Sequence, residues 1–177
     1  YLYNSGEISG GDVAAAVLQH SIGFAVGGGL SRHSATAKGT ITKNAPSDTA
    51  TVFRVQGGKA LSGELGSRKL IRVDEFGDVS IQKTTLNVSV GDTAHAEHFQ
   101  KLRPGSTVTS FEIPKWMEEF IEAEAIPQLG YRTNPLNQGG LAPKVVDPTT
   151  PGRSYELPSI WAEWLQEYAI KGSGRVQ

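Results

Sequence analysis

From residue 49 onward, short runs of β-branched and aromatic residues alternate with glycine, proline and polar turns. Thr51-Val52-Phe53-Arg54-Val55 is such a run, and Gly57-Gly58 follows it, a pattern typical of a strand and its end. The turn residues Gly77-Asp78 separate two further short runs. These criteria predict strands at 51–55, 70–73, 79–82, 84–90, 107–113 and 154–157.

Apolar residues at helical spacing predict three helices in the same part of the chain. One covers about 93–103 after Asp92 as its cap, a second covers 115–125, and a third begins at a Ser159 cap. In the third, Trp161, Trp164 and Leu165 fall on one stripe, so we expect core residues there. Because strands and helices do not alternate regularly, the fold class is α+β.

The first part of the chain has a different composition. Val13–Leu30 is small and apolar and ends near three consecutive glycines at 27–29. Its 18 residues are the lower limit for crossing a bilayer, but polar Gln19, His20 and Ser21 interrupt them. The pattern favours a helix capped by Asp12 over a membrane-active segment, and we expect no stable membrane span.

A Ser-, Thr- and Lys-rich linker is predicted to follow that helix. We therefore divide the chain into an N-terminal helix and linker at 1–48 and a catalytic domain at 49–177. Since the chain begins with Tyr1 and not Met, we expect it to be part of a larger polypeptide. Residues 126–152, rich in Pro, Asn and Gly, are predicted to form a long loop, and long loops in small domains are often functional.

Charge and cysteine content exclude several classes of function. The 17 Lys and Arg against 18 Asp and Glu give a net charge of −1, which disfavours a protein that binds nucleic-acid phosphates without sequence preference. The absence of Cys excludes disulfides, thiolate zinc sites and a cysteine nucleophile.

His95 and His98 lie three residues apart on the helix predicted at 93–103. Without an HExxH pattern this spacing does not indicate a metal site, and we predict none. The two imidazoles, with Lys144 and Arg153 as phosphate-binding cations, are the residue types that an RNase needs. An RNase-type toxin therefore stays open as an alternative, as does a non-catalytic interaction module.

Four short motifs in order along residues 50–158 resemble those of the ADP-ribosyltransferase superfamily. That family carries an Arg on its first core strand, a Ser-Thr-Ser strand leading into a helix, a strand that ends in Val-Pro-Lys, and a late catalytic Glu. The corresponding residues here are Val52-Phe53-Arg54, Asn87-Val88-Ser89, Ile113-Pro114-Lys115 and Tyr155-Glu156-Leu157-Pro158.

The resemblance implies split, mainly antiparallel sheets around a cleft, with NAD as the substrate. It gives Glu156 the role of stabilising a ribosyl cation when the nicotinamide–ribose bond breaks, as in glycoside hydrolysis. Ser89 would support Glu156 and position the ribose, and Arg54 would hold the NAD phosphates or the adenosine ribose. Four more residues would complete the NAD site, with one of the two tyrosines stacking on nicotinamide: Gln56, Asn87, Tyr131 and Tyr155.

Two positions depart from the family pattern. The Ser-Thr-Ser strand keeps only its last hydroxyl, Ser89, and Ser154 stands where arginine-modifying members have Gln or Glu. The resemblance therefore does not imply arginine-directed modification, and the acceptor stays open among protein, RNA and a small molecule.

The order of apolar segment, linker and catalytic domain resembles the C-terminal toxins of polymorphic, Rhs-type secreted bacterial proteins, and so does the stretch 138–158. That resemblance implies an effector in interbacterial competition, delivered for instance by type VI secretion into the cytoplasm of a target cell. It also implies a cognate immunity protein as partner.

Overall fold

The computed structural model of the chain describes residues 48–59, 61, 63, 65–146 and 149–177. The helix and linker predicted within residues 1–48 therefore lie outside the described residues, apart from Asp48. Asp48–Gln177 form one compact unit.

Ten strands and three α-helices make up this unit as described. The strands are β1 (Thr49–Lys59), β2 (Leu65–Ser67), β3 (Ile71–Val73), β4 (Val79–Ile81), β5 (Leu86–Val90), β6 (Ser106–Pro114), β7 (Ile126–Pro127), β8 (Lys144–Val145), β9 (Ser154–Leu157) and β10 (Arg175–Val176). The helices are α1 (Ala94–Leu102), α2 (Lys115–Glu124) and α3 (Ser159–Tyr168).

Eight of the described strands form one sheet, in the order β10-β6-β1-β5-β9-β8-β7, with β2 paired to β1. Every neighbouring pair in it is antiparallel except β7 and β8, and β3 and β4 form a separate antiparallel hairpin. The predicted α+β class with a mainly antiparallel sheet is thus confirmed.

The two edges of β1 are used differently. One edge pairs with β6 continuously, from Thr49 opposite Pro114 to Gly57 opposite Ser106. The other edge is shared by two strands, since β5 pairs at Val52 and Phe53 while β2 pairs from Gly57 onward. Among the described residues, the stretch between those pairings has no strand partner on this edge, so β5 and β2 separate there.

Each face of the sheet buries apolar residues under helices. On one face Ala96 of α1 packs with Val55 and Val108, and Phe53 and Phe99 lie against this cluster. Alternation along a strand puts Val52 on the opposite face, together with its cross-strand partner Phe111. Helices α2 and α3 contact the sheet and add these buried residues: Met117, Ile121, Trp161, Ala162, Trp164 and Leu165.

The aromatic stripe predicted on the last helix is confirmed as core. Trp161, Trp164 and Leu165 are 3%, 6% and 0% exposed, and Phe120 of α2 lies against both indoles, at 5.0 Å and 6.1 Å between ring centroids. The predicted Ser159 cap is wrong, because Ser159 is the first helical residue and Pro158, whose φ of −56° suits a helix start, takes the cap position.

The segment 126–152 contains more order than a loop. It holds β7, β8 and two 3₁₀ helices, Tyr131–Thr133 and Pro135–Gly140. The two-residue strands β7 and β8 pair in parallel, Ile126 opposite Lys144, which closes the segment at its base. Strands of two residues are too short to show a hydrophobic periodicity, so no sequence pattern predicts them.

Trp164→Ala should lower the free energy of unfolding by about 3–5 kcal/mol, because it removes a buried indole and leaves a cavity. Trp116→Ala is the matched control, since Trp116 is 49% exposed and makes one edge contact with Tyr168, which should cost about 1 kcal/mol. Urea unfolding of both variants measures the difference. Equal losses would show that Trp164 is not part of the core.

Candidate active site

A cavity of about 330 Å³ lies where β1, β5 and β9 meet the underside of α1. This volume is at the lower end of the range for small-molecule sites. Four residues that the resemblance assigns to the NAD site line it together: Arg54, Asn87, Ser89 and Glu156. The structure therefore brings residues 102 positions apart in the chain to one cavity.

Strand register explains why Asn87 and Glu156 share a wall of the cavity. Asn87 of β5 lies opposite Glu156 of β9, which in turn lies opposite Lys144 of β8. Directly opposed residues on antiparallel strands project from the same face, so the three form one row. Phe53, Ser89 and Ser154 form the next row along the sheet.

Both carboxylate oxygens of Glu156 have a hydrogen-bond partner. The Lys144 ammonium donates to Oε1 over 3.2 Å, and the Gln128 amide donates to Oε2 over 3.0 Å. Lys144 is 6% exposed and the Glu156 side chain is 27% exposed, so the ion pair sits largely out of water. A carboxylate has about four lone-pair positions, so Glu156 keeps acceptor capacity on the cavity side.

Arg54 spans the gap where β5 and β2 separate. Its Nη1 donates to the Asn87 carbonyl over 2.6 Å, while Nη2 donates to Ser67 Oγ and to the Arg68 carbonyl, both at 3.2 Å. All three acceptors are neutral, and no carboxylate of the described residues forms an ion pair with this guanidinium. The buried positive charge is thus held by dipoles, without a counterion.

The surroundings of Arg54 disfavour its charged form. Burial, together with the positive charges of Arg103 and Arg68, lowers the pKa of the Arg54 guanidinium to about 10. The group is still a cation at neutral pH, and Arg103 lines the same cavity. An anion bound here would relieve this repulsion, so this end of the cavity suits phosphate oxygens.

Two buried polar atoms of the cavity residues have no hydrogen-bond partner within the described chain: Arg54 Nε and Ser89 Oγ. The two residues are 7% and 1% exposed. Leaving a buried donor unpaired costs about 1–3 kcal/mol, so such atoms need an explanation. Both atoms belong to residues that line the cavity.

Apolar and aromatic groups of α1 close the cavity from above. The His95 ring lies 4.7 Å from the Phe99 ring, and its Nδ1 is 3.2 Å from the Pro151 carbonyl oxygen. Burial lowers the pKa of His95, although its contact with Pro151 opposes this effect, so the ring is mainly neutral at neutral pH. With Ala96, these groups form a wall that suits a flat ring.

Three residues that the resemblance assigns to the NAD site do not line this cavity. Gln56 is 3% exposed and uses its whole side-chain amide inside the protein, accepting from the N–H groups of Leu70 and Ile71 and donating to Ile71 O and Thr109 Oγ1. Tyr155 points to the opposite face of β9 from Glu156, and burial raises its pKa. Tyr131 lies over Lys144, with its ring centroid 4.7 Å from Nζ.

The residues of the RNase alternative are distributed differently. His95 lines the cavity, but Lys144 is engaged by Glu156, and Arg153 pairs with Glu122 and lines a second cavity on the Tyr155 side of β9. His98 packs edge-on against Phe99. In the described part of the chain, no group of three or more His, Asp or Glu side chains could hold a metal ion.

Sequence reasoning missed Gln128 and Arg103 as cavity residues. Gln128 is in the segment predicted as a loop, and Arg103 is the residue after α1, a position where a basic residue ordinarily serves the helix end. Neither has a local sequence signal. Lys144 was singled out as a phosphate-binding cation, whereas its partner in the structure is a carboxylate.

Comparisons of the chain with family models, with curated proteins and with solved structures returned no match. Within the described residues, no helix combines the length and hydropathy needed to cross a bilayer.

Pyrophosphate should stabilise the folded protein, because its oxygens would pair with the uncompensated Arg54 charge. At ten times its Kd the gain is about 1.4 kcal/mol, read as a rise in melting temperature. Sodium chloride at equal ionic strength should give a smaller rise. Arg54→Met should abolish the pyrophosphate-specific part, whereas Arg72→Met, at an exposed position on the β3–β4 hairpin, should keep it. An unchanged response in Arg54→Met would place the anion elsewhere.

Proposed function

We propose that this domain binds NAD in the cavity beneath α1 and transfers its ADP-ribosyl group to an acceptor. The observation that carries the proposal is that one cavity holds both a fixed carboxylate and a buried guanidinium that lacks a counterion. Glu156 supplies the first and Arg54 the second, and Arg54 Nε and Ser89 Oγ have no hydrogen-bond partner within the described residues. Of the seven residues that the resemblance to ADP-ribosyltransferases implies for the site, four line this cavity: Arg54, Asn87, Ser89 and Glu156.

The reaction breaks the bond between C1′ of the ribose and N1 of nicotinamide. The bonding electron pair leaves with N1, which neutralises the pyridinium charge and leaves a ribosyl cation at C1′. A lone pair of the acceptor then forms the new bond at C1′, and the acceptor's proton passes to solvent or to a nearby base. Glu156 stabilises the positive charge while it exists, so its effect is on the transition state.

The rest of NAD matches the remaining groups of the cavity. The diphosphate carries negative charge and would lie at the Arg54 and Arg103 end of the cavity. The ribose hydroxyls would contact Asn87 and Ser89 of β5. Asn87 lies directly opposite Glu156 of β9, and Ser89 is two residues further along β5. The wall of His95 and Phe99 offers a surface on which a flat ring can stack.

The biological setting is proposed on the sequence resemblance. We infer a toxin that is part of a larger secreted polypeptide, enters the cytoplasm of a competing cell and modifies a protein, RNA or small-molecule target there. A cognate immunity protein would protect the producing cell. Such a partner would act most directly by covering the cavity or by offering a carboxylate to Arg54.

An RNase activity is the second candidate, and His95 is the observation that favours it. This ring lines the cavity, is mainly neutral and could act as a general base toward a ribose hydroxyl. Against it, the second proposed cation, Arg153, pairs with Glu122 and lines the second cavity, on the Tyr155 face of β9.

Glu156→Gln should lower the rate of nicotinamide release by about 10²- to 10³-fold, while the Kd for NAD changes little. The amide keeps the shape of the side chain and loses the charge that stabilises the ribosyl cation. Release of labelled nicotinamide and calorimetric titration with NAD separate the two quantities. Glu167→Gln, at an exposed position of α3, is the matched control and should match the wild type. Full turnover by Glu156→Gln would refute the proposal.

Growth arrest in a susceptible bacterium distinguishes the two candidate activities. For an ADP-ribosyltransferase, the His98→Ala protein should still arrest growth, because His98 does not line the cavity, and the Glu156→Gln protein should not. For an RNase that uses both imidazoles, the pattern reverses. Immunoblots confirm equal amounts of each protein, so that a difference in growth reports activity.

A further inference from the structure

Lys144 is a buried lysine whose ammonium lies against the carboxylate proposed to act on the ribosyl cation. We propose that Lys144 is a positioning residue, which fixes the direction of the Glu156 carboxylate together with Gln128 and is itself enclosed by the Tyr131 ring. This inference rests on the proposed function, because it concerns the orientation of Glu156 toward the ribose.

The backbone gives Lys144 little freedom. Strand β8 is only two residues long, and it is held on one side by β7 and on the other by β9. Lys144 is the direct cross-strand partner of Glu156, so the two side chains leave the sheet side by side. The 3.2 Å contact between Nζ and Oε1 follows from this register.

Stability alone does not account for this ion pair. Burying an ammonium and a carboxylate costs several kcal/mol of hydration, and their attraction often only balances that loss. At 6% exposure Lys144 carries that cost. The Tyr131 ring, 4.7 Å from Nζ, adds a cation–π contact to the ammonium. The arrangement is better explained by what it does to the carboxylate.

Two donors from different elements hold the two oxygens of Glu156. Lys144 fixes Oε1 from β8, and Gln128 fixes Oε2 from the residue after β7. A carboxylate held at both oxygens cannot rotate about its last bond, so the remaining lone pairs keep one direction. Reactions that depend on such alignment lose about 100-fold for a misplacement of about 1 Å.

This arrangement gives Tyr131 a different role from stacking on nicotinamide. Its ring contacts Lys144 and is absent from the set of residues that line the cavity. Tyr131 therefore acts on Glu156 through Lys144. The two roles differ in their kinetic signature, since loss of a stacking partner raises KM whereas loss of alignment lowers kcat.

Lys144→Met is the first test, because it keeps the aliphatic stem and removes the ammonium. We expect kcat for nicotinamide release to fall about 10- to 100-fold, with KM for NAD within about twofold of the wild type. Lys144→Arg, which restores a cationic donor, should recover part of the loss. Lys83→Met is the matched control, since Lys83 forms an exposed ion pair with Glu163 on another part of the surface.

A double-variant cycle shows whether Lys144 acts through Glu156. Added to Glu156→Gln, Lys144→Met should cause no further loss of kcat, because the carboxylate that it positions is already gone. Should Lys144→Met fail to fold, as judged by its melting curve, Gln128→Leu removes the other donor at a partly exposed position and should show the same loss of kcat. Tyr131→Leu should lower kcat by a smaller factor and leave KM unchanged.

The outcomes separate this inference from the proposed function. A wild-type protein that releases no nicotinamide overturns both. If the wild type is active and kcat is unaltered in Lys144→Met and Gln128→Leu, only the role of Lys144 is overturned. The same holds if Lys144→Met changes only KM, or if it lowers kcat by the same factor in the Glu156→Gln background as in the wild type. A kcat loss that depends on Glu156 supports the positioning role.

Discussion

The burial of one guanidinium organises the centre of this domain. Strand β1 gives one edge to two different strands, and Arg54 bridges them by donating to the Asn87 carbonyl of β5 and to Ser67 of β2. A split between strands would ordinarily leave backbone groups without partners, and here a side chain takes the place of the missing ladder. The same split opens the floor of the cavity, so the charge that joins the strands is also the charge that a ligand would meet.

Local patterns predicted much of the framework. The strand Ser154–Leu157 agrees with its prediction, and the Trp161, Trp164 and Leu165 stripe is buried as its spacing indicates. The C-terminal strand β10 and the pair β7 and β8 were not predicted, because two residues are too few to show alternation. Their existence depends on neighbours that are distant in the chain, Ser110 and Thr109 in the case of β10.

The residues that the resemblance assigns to the site and that line the cavity all lie on regular strands. Arg54, Ser89 and Glu156 converge because they occupy β1, β5 and β9, which are adjacent in the sheet. Gln56 lies on the same face of β1 as Arg54, yet its amide satisfies the backbone of residues 70 and 71. Residues 70 and 71 pass beside Gln56 and use its amide, so Gln56 does not line the cavity whereas Arg54 does. The sequence around Gln56 and Arg54 carries no signal of this tertiary contact.

The parallel pairing of β7 with β8 also bears on how the domain could diversify. Gln128 and Lys144 stand at the two ends of a closed segment, and each holds one oxygen of Glu156. Between them the chain exposes Leu129 and Leu136, at 96% and 66%. Because the ends are fixed, doubling the length of that segment would cost only about 0.6 kcal/mol of closure entropy. Descendants of this sequence could therefore exchange the intervening residues, and with them the surface presented to other molecules, while keeping both contacts to Glu156.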